Sequence, residues 1–412
     1  MSEALEAIER QARRGPDSPA LVVGEQVLTY RSLVDTAAEL AGRLVAAGVE
    51  PGTAVVLFLP QGAAALVGVL ATLRAGASFA VVDPDHPAER LDSVLEVADC
   101  AAIVHLGAVR GPLRDVERPP PLVEFTARGR SRPDRPVAAD GRHPAYLLHT
   151  PVPAGRPKTI VITRSNLDAA ITGHTTLYGP APVVLPALPV SDDGVLGALF
   201  ATLASGGTLV LPDARELADP RAVAALATRH RTTHLLTTPS SHHRLLDRAD
   251  LLPATLDLCL LHGEPVTPDL VARHRASLPR TRVTTVHGPA EATIACLAHA
   301  VTGSPKWTIP LGRPLAGTTI LVLDPHLRPV PPGEVGELYV GGAAVGPGYA
   351  CDPGRTAERF VANPAGDGTT VYRTGDLVSV DPTGTVVFHG RATTPIKAAP
   401  PAEEAVIARP LG

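Results

Sequence analysis

Lysine is the scarcest charged residue in this 412-residue chain: positions 158, 306 and 397 hold all three, against 34 arginines. Such a bias points to a GC-rich coding sequence in which lysine drifts to arginine wherever either serves, so each remaining lysine is worth examining. Cysteine is sparse too, and Cys100, Cys259, Cys296 and Cys351 stand far apart with no metal or redox spacing. Nor is there a basic face: the formal net charge is −4 and acids and bases are interspersed, which argues against a nucleic-acid partner. The longest apolar stretch, TAVVLFLPQGAAALVGVLATLRAGASFAVVD, is broken by Pro60, Gln61 and Arg74, so it reads as strand, turn, helix and strand rather than a membrane span. The opening MSEALEAIERQARRGPDSPALVV lacks the basic-then-apolar order of a signal peptide. The expectation is a cytoplasmic protein with reduced thiols and no membrane partner.

What is present is alternation. From residue 18 to 107, β-rich runs alternate with amphipathic helical segments: a hairpin in ALVVGEQVLTY, a helix in RSLVDTAAELAGRLVAAG, then strand and helix by turns to AAIVHL. Residues 108–143 are rich in Pro, Arg and Gly and read as a surface linker. A second α/β unit follows, with apolar strands AYLLH, TIVIT, APVVLPAL, GTLVLP, THLLTT, LDLCLLH and RVTTVHG. After 305 the texture turns to short strands with Gly/Pro turns, which favours a small antiparallel barrel or distorted sheet. The predicted class is α/β: subdomains 1–143 and 144–304 with mostly parallel sheets, a β-barrel-like subdomain 305–391, and a short tail 392–412.

Eight segments in order carry a resemblance: LTYRSL (28–33), LRAGASFAVVDPDHPAERL (73–91), AGRPKTIVITRSNL (154–167), HGPAEATIA (287–295), GELYVGGAAVGPGY (336–349), RTAERF (355–360), YRTGDL (372–377) and GTVVFHGR (384–391). Together they resemble the adenylate-forming superfamily, specifically nonribosomal peptide synthetase adenylation domains. The resemblance implies a reaction joining a carboxylate to the α-phosphate of ATP, with charge met by Mg2+, backbone amides and a lysine. Carried over by position, it implies Lys158 and Glu291 as catalytic residues, with Glu291 also the carboxylate near Mg2+. It likewise implies Gly288, Asp376, Arg391 and Lys397 around the nucleotide, with Asp376 on the ribose hydroxyls. The plainer readings are a helix-start acid, a turn acid and surface cations.

In the same register Asp193 falls where the family holds the substrate α-ammonium, a charge that needs a paired partner when buried. Its alternative is a solvated turn capping a helix. The flanking pocket positions would be Gly194, Gly197, Ser240, Leu260, His262, Val286, Ile294 and Ala295. His242–His243, His262 and His287 could suggest a metal, but adjacent histidines on a helix point apart and no thiol or carboxylate spacing accompanies them. The expectation there is surface or pocket-lining histidine.

One stretch departs from the family. Where it has T-S-G-(S/T)-T-G-x-P-K-G, this chain has Thr150-Pro151-Val152-Pro153-Ala154-Gly155-Arg156-Pro157-Lys158-Thr159. A phosphate cradle works by pointing successive N–H groups inward. Pro151 and Pro153 remove two such donors, Val152 before proline is pushed toward extended conformations, and Ala154 replaces a hydroxyl. One lost transition-state donor costs roughly 2.7–4 kcal/mol. Ala290 removes a further hydroxyl beside Glu291, and after Arg391 the segment ATTPIKAAPPAEEAVIARPLG stands where the family has its hinge acid and C-terminal lid. Two readings follow. One is a degenerate, non-adenylating relative, a partner or scaffold in peptide assembly with weak or no nucleotide binding. The other is an active amino-acid-adenylating core using ATP and Mg2+, its lid supplied in trans and its partner a carrier protein or synthetase. A ligase for an aryl or fatty acid is a third reading, disfavoured by Asp193.

Overall fold

The computed structural model describes residues 2–108, 111–126, 136–150, 158–303 and 308–392. Two helices without a polar face set the architecture. Ala63–Arg74 and Asp193–Ala204 are buried along nearly their whole length, which a helix tolerates only when other elements cover every side. They share one core cluster with Val55 and Leu57 of the strand Ala54–Phe58 and with Leu209, Leu236 and Leu260 of a second sheet. The helices thus form a layer between two sheets.

The first sheet has seven strands, in spatial order Gly348–Tyr349, Lys158–Thr163, Pro144–Thr150, Ser78–Val82, Ala54–Phe58, Cys100–His105 and Leu122–Glu124. The second has nine: Arg313–Pro314, Leu297–Ala300, Arg282–His287, Leu258–His262, His234–Thr237, Val183–Pro186, Thr208–Val210, Pro19–Val23 and Gln26–Thr29. Their inner strands are parallel, and the antiparallel pairs lie toward the edges. The buried strands read as unbroken apolar runs because both faces are covered. Outer helices close the far sides: Pro220–Arg229 over Val22, Leu185, Leu235 and Cys259, and Ala88–Val97 over Val56, Phe58 and Ile103. A third, antiparallel sheet joins Thr319–Leu323, Gly336–Gly341, Thr370–Val380, Phe360–Ala362 and Val386–Arg391. The α/β class with two mostly parallel sheets and a curled β-rich sheet is therefore as expected.

The sheets cut across the sequence order of the expected units. The hairpin 19–29 joins the nine-stranded sheet through Leu21 opposite Leu209, and the strands 144–163 join the seven-stranded sheet through Phe79 opposite Tyr146. Burial explains this pairing, since each interloper brings apolar residues to a core-facing edge. The stretch 108–143, expected as linker, contributes the strand Leu122–Glu124 and buries Leu113 and Val123. The Pro-Val-Pro loop and the tail with Lys397 lie outside the described residues. Among the described residues no helix is long and apolar enough to cross a membrane.

Arg164 ties the layers together. It is 2% exposed and donates to the carbonyls of Leu73, 3.1 Å away, and Ala77, 2.8 Å away, at the C-terminal end of the helix Ala63–Arg74. A cation suits that end because the last carbonyls are unpaired and partly negative. Arg164→Ala should lower unfolding free energy in urea by about 2–4 kcal/mol, since it orphans buried carbonyls and leaves a void. Arg31→Ala, removing an exposed pair with Asp17, should change it by less than about 0.5 kcal/mol. A loss under about 1 kcal/mol for Arg164→Ala would contradict this role.

Candidate active site

Strand ends deliver the site. The strand Arg282–His287 ends at a turn where Gly288 passes so close to the next segment that a Cβ would lie 2.6 Å from Cys296 N. The short turn Ala290–Ala292 then places Glu291, 1% exposed, opposite Lys158 at the start of Lys158–Thr163. Lys158 Nζ donates to Glu291 Oε1 at 2.6 Å, and Tyr349 Oη donates to the same oxygen at 2.6 Å. Burial would push the Glu291 carboxyl up, but the Lys158 charge and the hydrogen bonds of Lys158 and Tyr349 outweigh it and hold its pKa below the usual range. Burial and the Glu291 charge push the Tyr349 phenol up, so it stays a donor. Lys158 Nζ also lies 5.6 Å from the centroid of the Tyr349 ring.

A second acid lies on the β-rich sheet. Asp376, 4% exposed, sits in Thr370–Val380 opposite Arg391 in register. Its Oδ1 is 3.0 Å from Arg391 Nε and its Oδ2 3.4 Å from His287 Nε2. Arg391 is anchored by donating to the Thr374 carbonyl at 3.0 Å.

The third group surrounds the start of the buried helix. Asp192 caps it, accepting from Gly194 N at 2.8 Å. Asp193 is 7% exposed, and its Oδ2 has no hydrogen-bond partner. His262, ending Leu258–His262, brings Nε2 to 3.5 Å from Asp192 Oδ1 and 3.7 Å from Asp193 Oδ1. Burial alone would push the imidazolium pKa down, but the close approach of both aspartates pushes it up to about 10. Burial pushes the Asp193 carboxyl up against the pull of His262. With two carboxylates around one imidazole, the imidazolium form offsets part of their charge.

Backbone strain completes this wall. Thr293 and Ile294 both have positive φ, 56° and 72°, a conformation costing about 1–3 kcal/mol for residues other than glycine. Thr293 Oγ1 holds the turn by donating to the Ala344 carbonyl at 2.6 Å. The turn drives Ile294 against Gly197, where a Cβ would meet Ile294 Cγ2 at 2.9 Å and His174 Cδ2 at 3.5 Å. Gly194, Leu260, Val286 and Ala295 are buried with them. Ser240 stands apart: it is exposed, with its N–H and Oγ both donating to the Glu264 carboxylate. Tyr349, His174 and Tyr146 were not anticipated. Tyr349 closes the motif GPGY, but its contact with Glu291 spans 58 positions. Tyr146 Oη and His174 Nε2 are buried without partners.

The sequence model for AMP-binding enzymes matches residues 8–350. A protein named as a probable nonribosomal peptide synthetase, CymA of Salinispora arenicola, is 36% identical over 403 residues, covering 94% of this chain and 5% of its own length. Novobiocin biosynthesis protein H of Streptomyces niveus is 34% identical over 398 residues, covering 93% of this chain and 65% of its own. The chain thus spans less than two thirds of either relative. Among solved structures, the nonribosomal peptide synthetase FmoA3 with bound α-methyl-L-serine-AMP superposes with a TM-score of 0.86 at 29% identity, over 94% of this chain and 44% of that one. An AMPPNP-bound form of FmoA3 gives 0.84.

The His262 cluster makes a pH prediction. A histidine whose folded pKa is raised from 6.5 to about 10 contributes stability fully present below the lower value and lost as pH rises through the upper. Unfolding free energy should therefore fall between those limits by up to about 1.4 kcal/mol per pH unit. His262→Gln should be flatter over the same window. Parallel pH profiles for the two proteins in denaturant titrations would contradict the assignment.

Proposed function

The chain belongs to the AMP-binding enzyme family, and we propose that within it this protein is an amino-acid-recognising adenylation-domain relative whose phosphate chemistry is suppressed. It would serve as a partner in nonribosomal peptide assembly, in a cytoplasmic setting, beside a carrier protein or synthetase. The observation that carries the proposal is the Lys158–Glu291 contact: the cation that the resemblance assigns to phosphate and the carboxylate it assigns to Mg2+ hold each other at 2.6 Å.

The residues fit the two ends of ATP unequally. At the ribose end, Asp376 is buried and meets Arg391, whose side chain is 60% exposed, and the Asp376 carboxylate can also accept from a hydroxyl. Gly288 leaves the adjoining wall without a side chain. At the metal end the fit is poorer: Glu291 Oε1 already accepts an ammonium and a phenol, so a divalent cation on this carboxylate would lie beside the Lys158 charge. Pro151 and Pro153, before Lys158, also remove two amide donors that would help hold a phosphate beside the ammonium. ATP, when bound, supplies the electrophilic phosphorus that a carboxylate attacks. Here the groups that would stabilise that attack neutralise one another.

The amino-acid end is better kept. Asp193 Oδ2, Tyr146 Oη and His174 Nε2 are buried without partners, and each orphan costs about 1–3 kcal/mol. Asp193 offers an acceptor for an α-ammonium, and His262 holds the pocket's charge until that ammonium arrives.

A second reading, an active adenylating core, is favoured by one fact. Lys158 persists in a chain that carries 34 arginines and 3 lysines. Amino-acid-dependent pyrophosphate exchange decides between them. With ATP, Mg2+ and each proteinogenic amino acid, exchange should not exceed that of heat-killed protein. Robust exchange with any one of them would overturn the suppressed reading and establish the active one.

A further inference from the structure

Away from the cleft, three side chains from three elements meet in an apolar core: His242 of Pro239–Leu245, Cys259 of Leu258–His262 and His274 of Pro268–Ser277. Their exposures are 0%, 0% and 1%, and one donor atom from each lies within 4.8 Å of the others. His242 Nε2 is 2.9 Å from His274 Nδ1, and His274 Nε2 is 2.8 Å from the Thr281 carbonyl.

The contacts fix the protons. A carbonyl only accepts, so His274 carries its hydrogen on Nε2 and presents a bare Nδ1 to the cluster. His242 Nε2 must then donate to it, which leaves His242 Nδ1 as a buried nitrogen without a partner. Burial raises the Cys259 thiol. Two neutral imidazoles and a thiol packed beside Leu245 and Leu256 are a costly way to fill a core. They are also the donor types that bind a borderline-soft divalent ion.

We propose that His242, Cys259 and His274 form a three-ligand site for a zinc-like divalent cation, with the fourth coordination position left to a water. His274 Nδ1, His242 Nε2 and Cys259 Sγ are the protein ligands. The Nε2–H of His274, held by the Thr281 carbonyl, orients that ring as outer partners do in metal sites. On binding, the Cys259 thiol gives up its proton to solvent and the His242 proton moves from Nε2 to Nδ1, so one proton leaves per ion. Zn–N and Zn–S distances of about 2.0–2.3 Å require inward movement on the order of 1 Å from the present spacing. The site would pin both flanking helices to the strand that ends in His262, three residues beyond Cys259. Asp192, Asp193 and His262 also bring donor atoms within 4.8 Å of one another, but there the imidazolium is itself the cation.

Untagged full-length protein grown with zinc and dialysed should retain about one zinc per chain. Cobalt(II) replacement should give a thiolate-to-cobalt charge-transfer band. That band should vanish in Cys259→Ser and persist in His243→Ala, which changes the exposed neighbour. If Cys259→Ser does not fold, X-ray absorption of the wild-type zinc protein still decides, with one sulfur, two nitrogens and a water oxygen expected in the first coordination sphere. Metal-free wild-type protein with no cobalt band, or a sphere without sulfur, would overturn the proposal.

Discussion

The contact between Lys158 and Glu291 governs the rest of the cleft. A carboxylate that is 1% exposed cannot stay charged unless a cation or several donors reach it, and here one ammonium and one phenol do so on the same oxygen. The pair also joins the sheets, because Lys158 opens a strand of the seven-stranded sheet, Tyr349 lies on that sheet's edge, and Glu291 follows a strand of the nine-stranded one. On the proposed reading, a ligand bringing phosphate or a divalent ion competes with this contact for Lys158 and Glu291. The ligand's binding energy is reduced by that competition.

The fold explains why three separate clusters face one region. Parallel strands covered on both faces by helices end together, and ligand sites of such sheets gather beyond their carboxyl ends. His262 and His287 occupy two such ends, and the central buried helix begins at Asp193 near the first of them. That helix is apolar along its length, so its only acid in the first turn has no water to turn to and draws in His262. Strain at Thr293 and Ile294 is held by the same packing, through the Ala344 carbonyl and the missing side chain of Gly197.

Much of this was legible in the sequence, for physical reasons. Strands came through where apolar runs are short and bounded by Gly or Pro, as in TAVVLFLP and LDLCLLH. Ordered motifs singled out Lys158, Glu291, Asp376 and Arg391, and the fold puts the first two in one contact and the last two in another. Pairings distant in the chain did not come through. Nothing in HTPVPAGRPK tells that its lysine meets a tyrosine 191 positions later. The histidines of SSHHRLL read as surface residues because helical spacing separates neighbours. The fold buries His242 against His274 and Cys259, which sequence spacing alone does not bring together. Likewise LVE in a Pro- and Arg-rich stretch carries too little pattern to reveal a strand, although burial of Val123 makes it one.

Calorimetry with adenosine, AMP and ATP, each with Mg2+, tests the central claim most directly. If Lys158 and Glu291 hold each other while Asp376 and Arg391 remain available, the phosphates add little. The three ligands should then bind weakly and within about threefold of one another, a difference under 1 kcal/mol. ATP binding far tighter than adenosine, and lost in Lys158→Ala, would mean that the pair opens for phosphate and that the site is not closed.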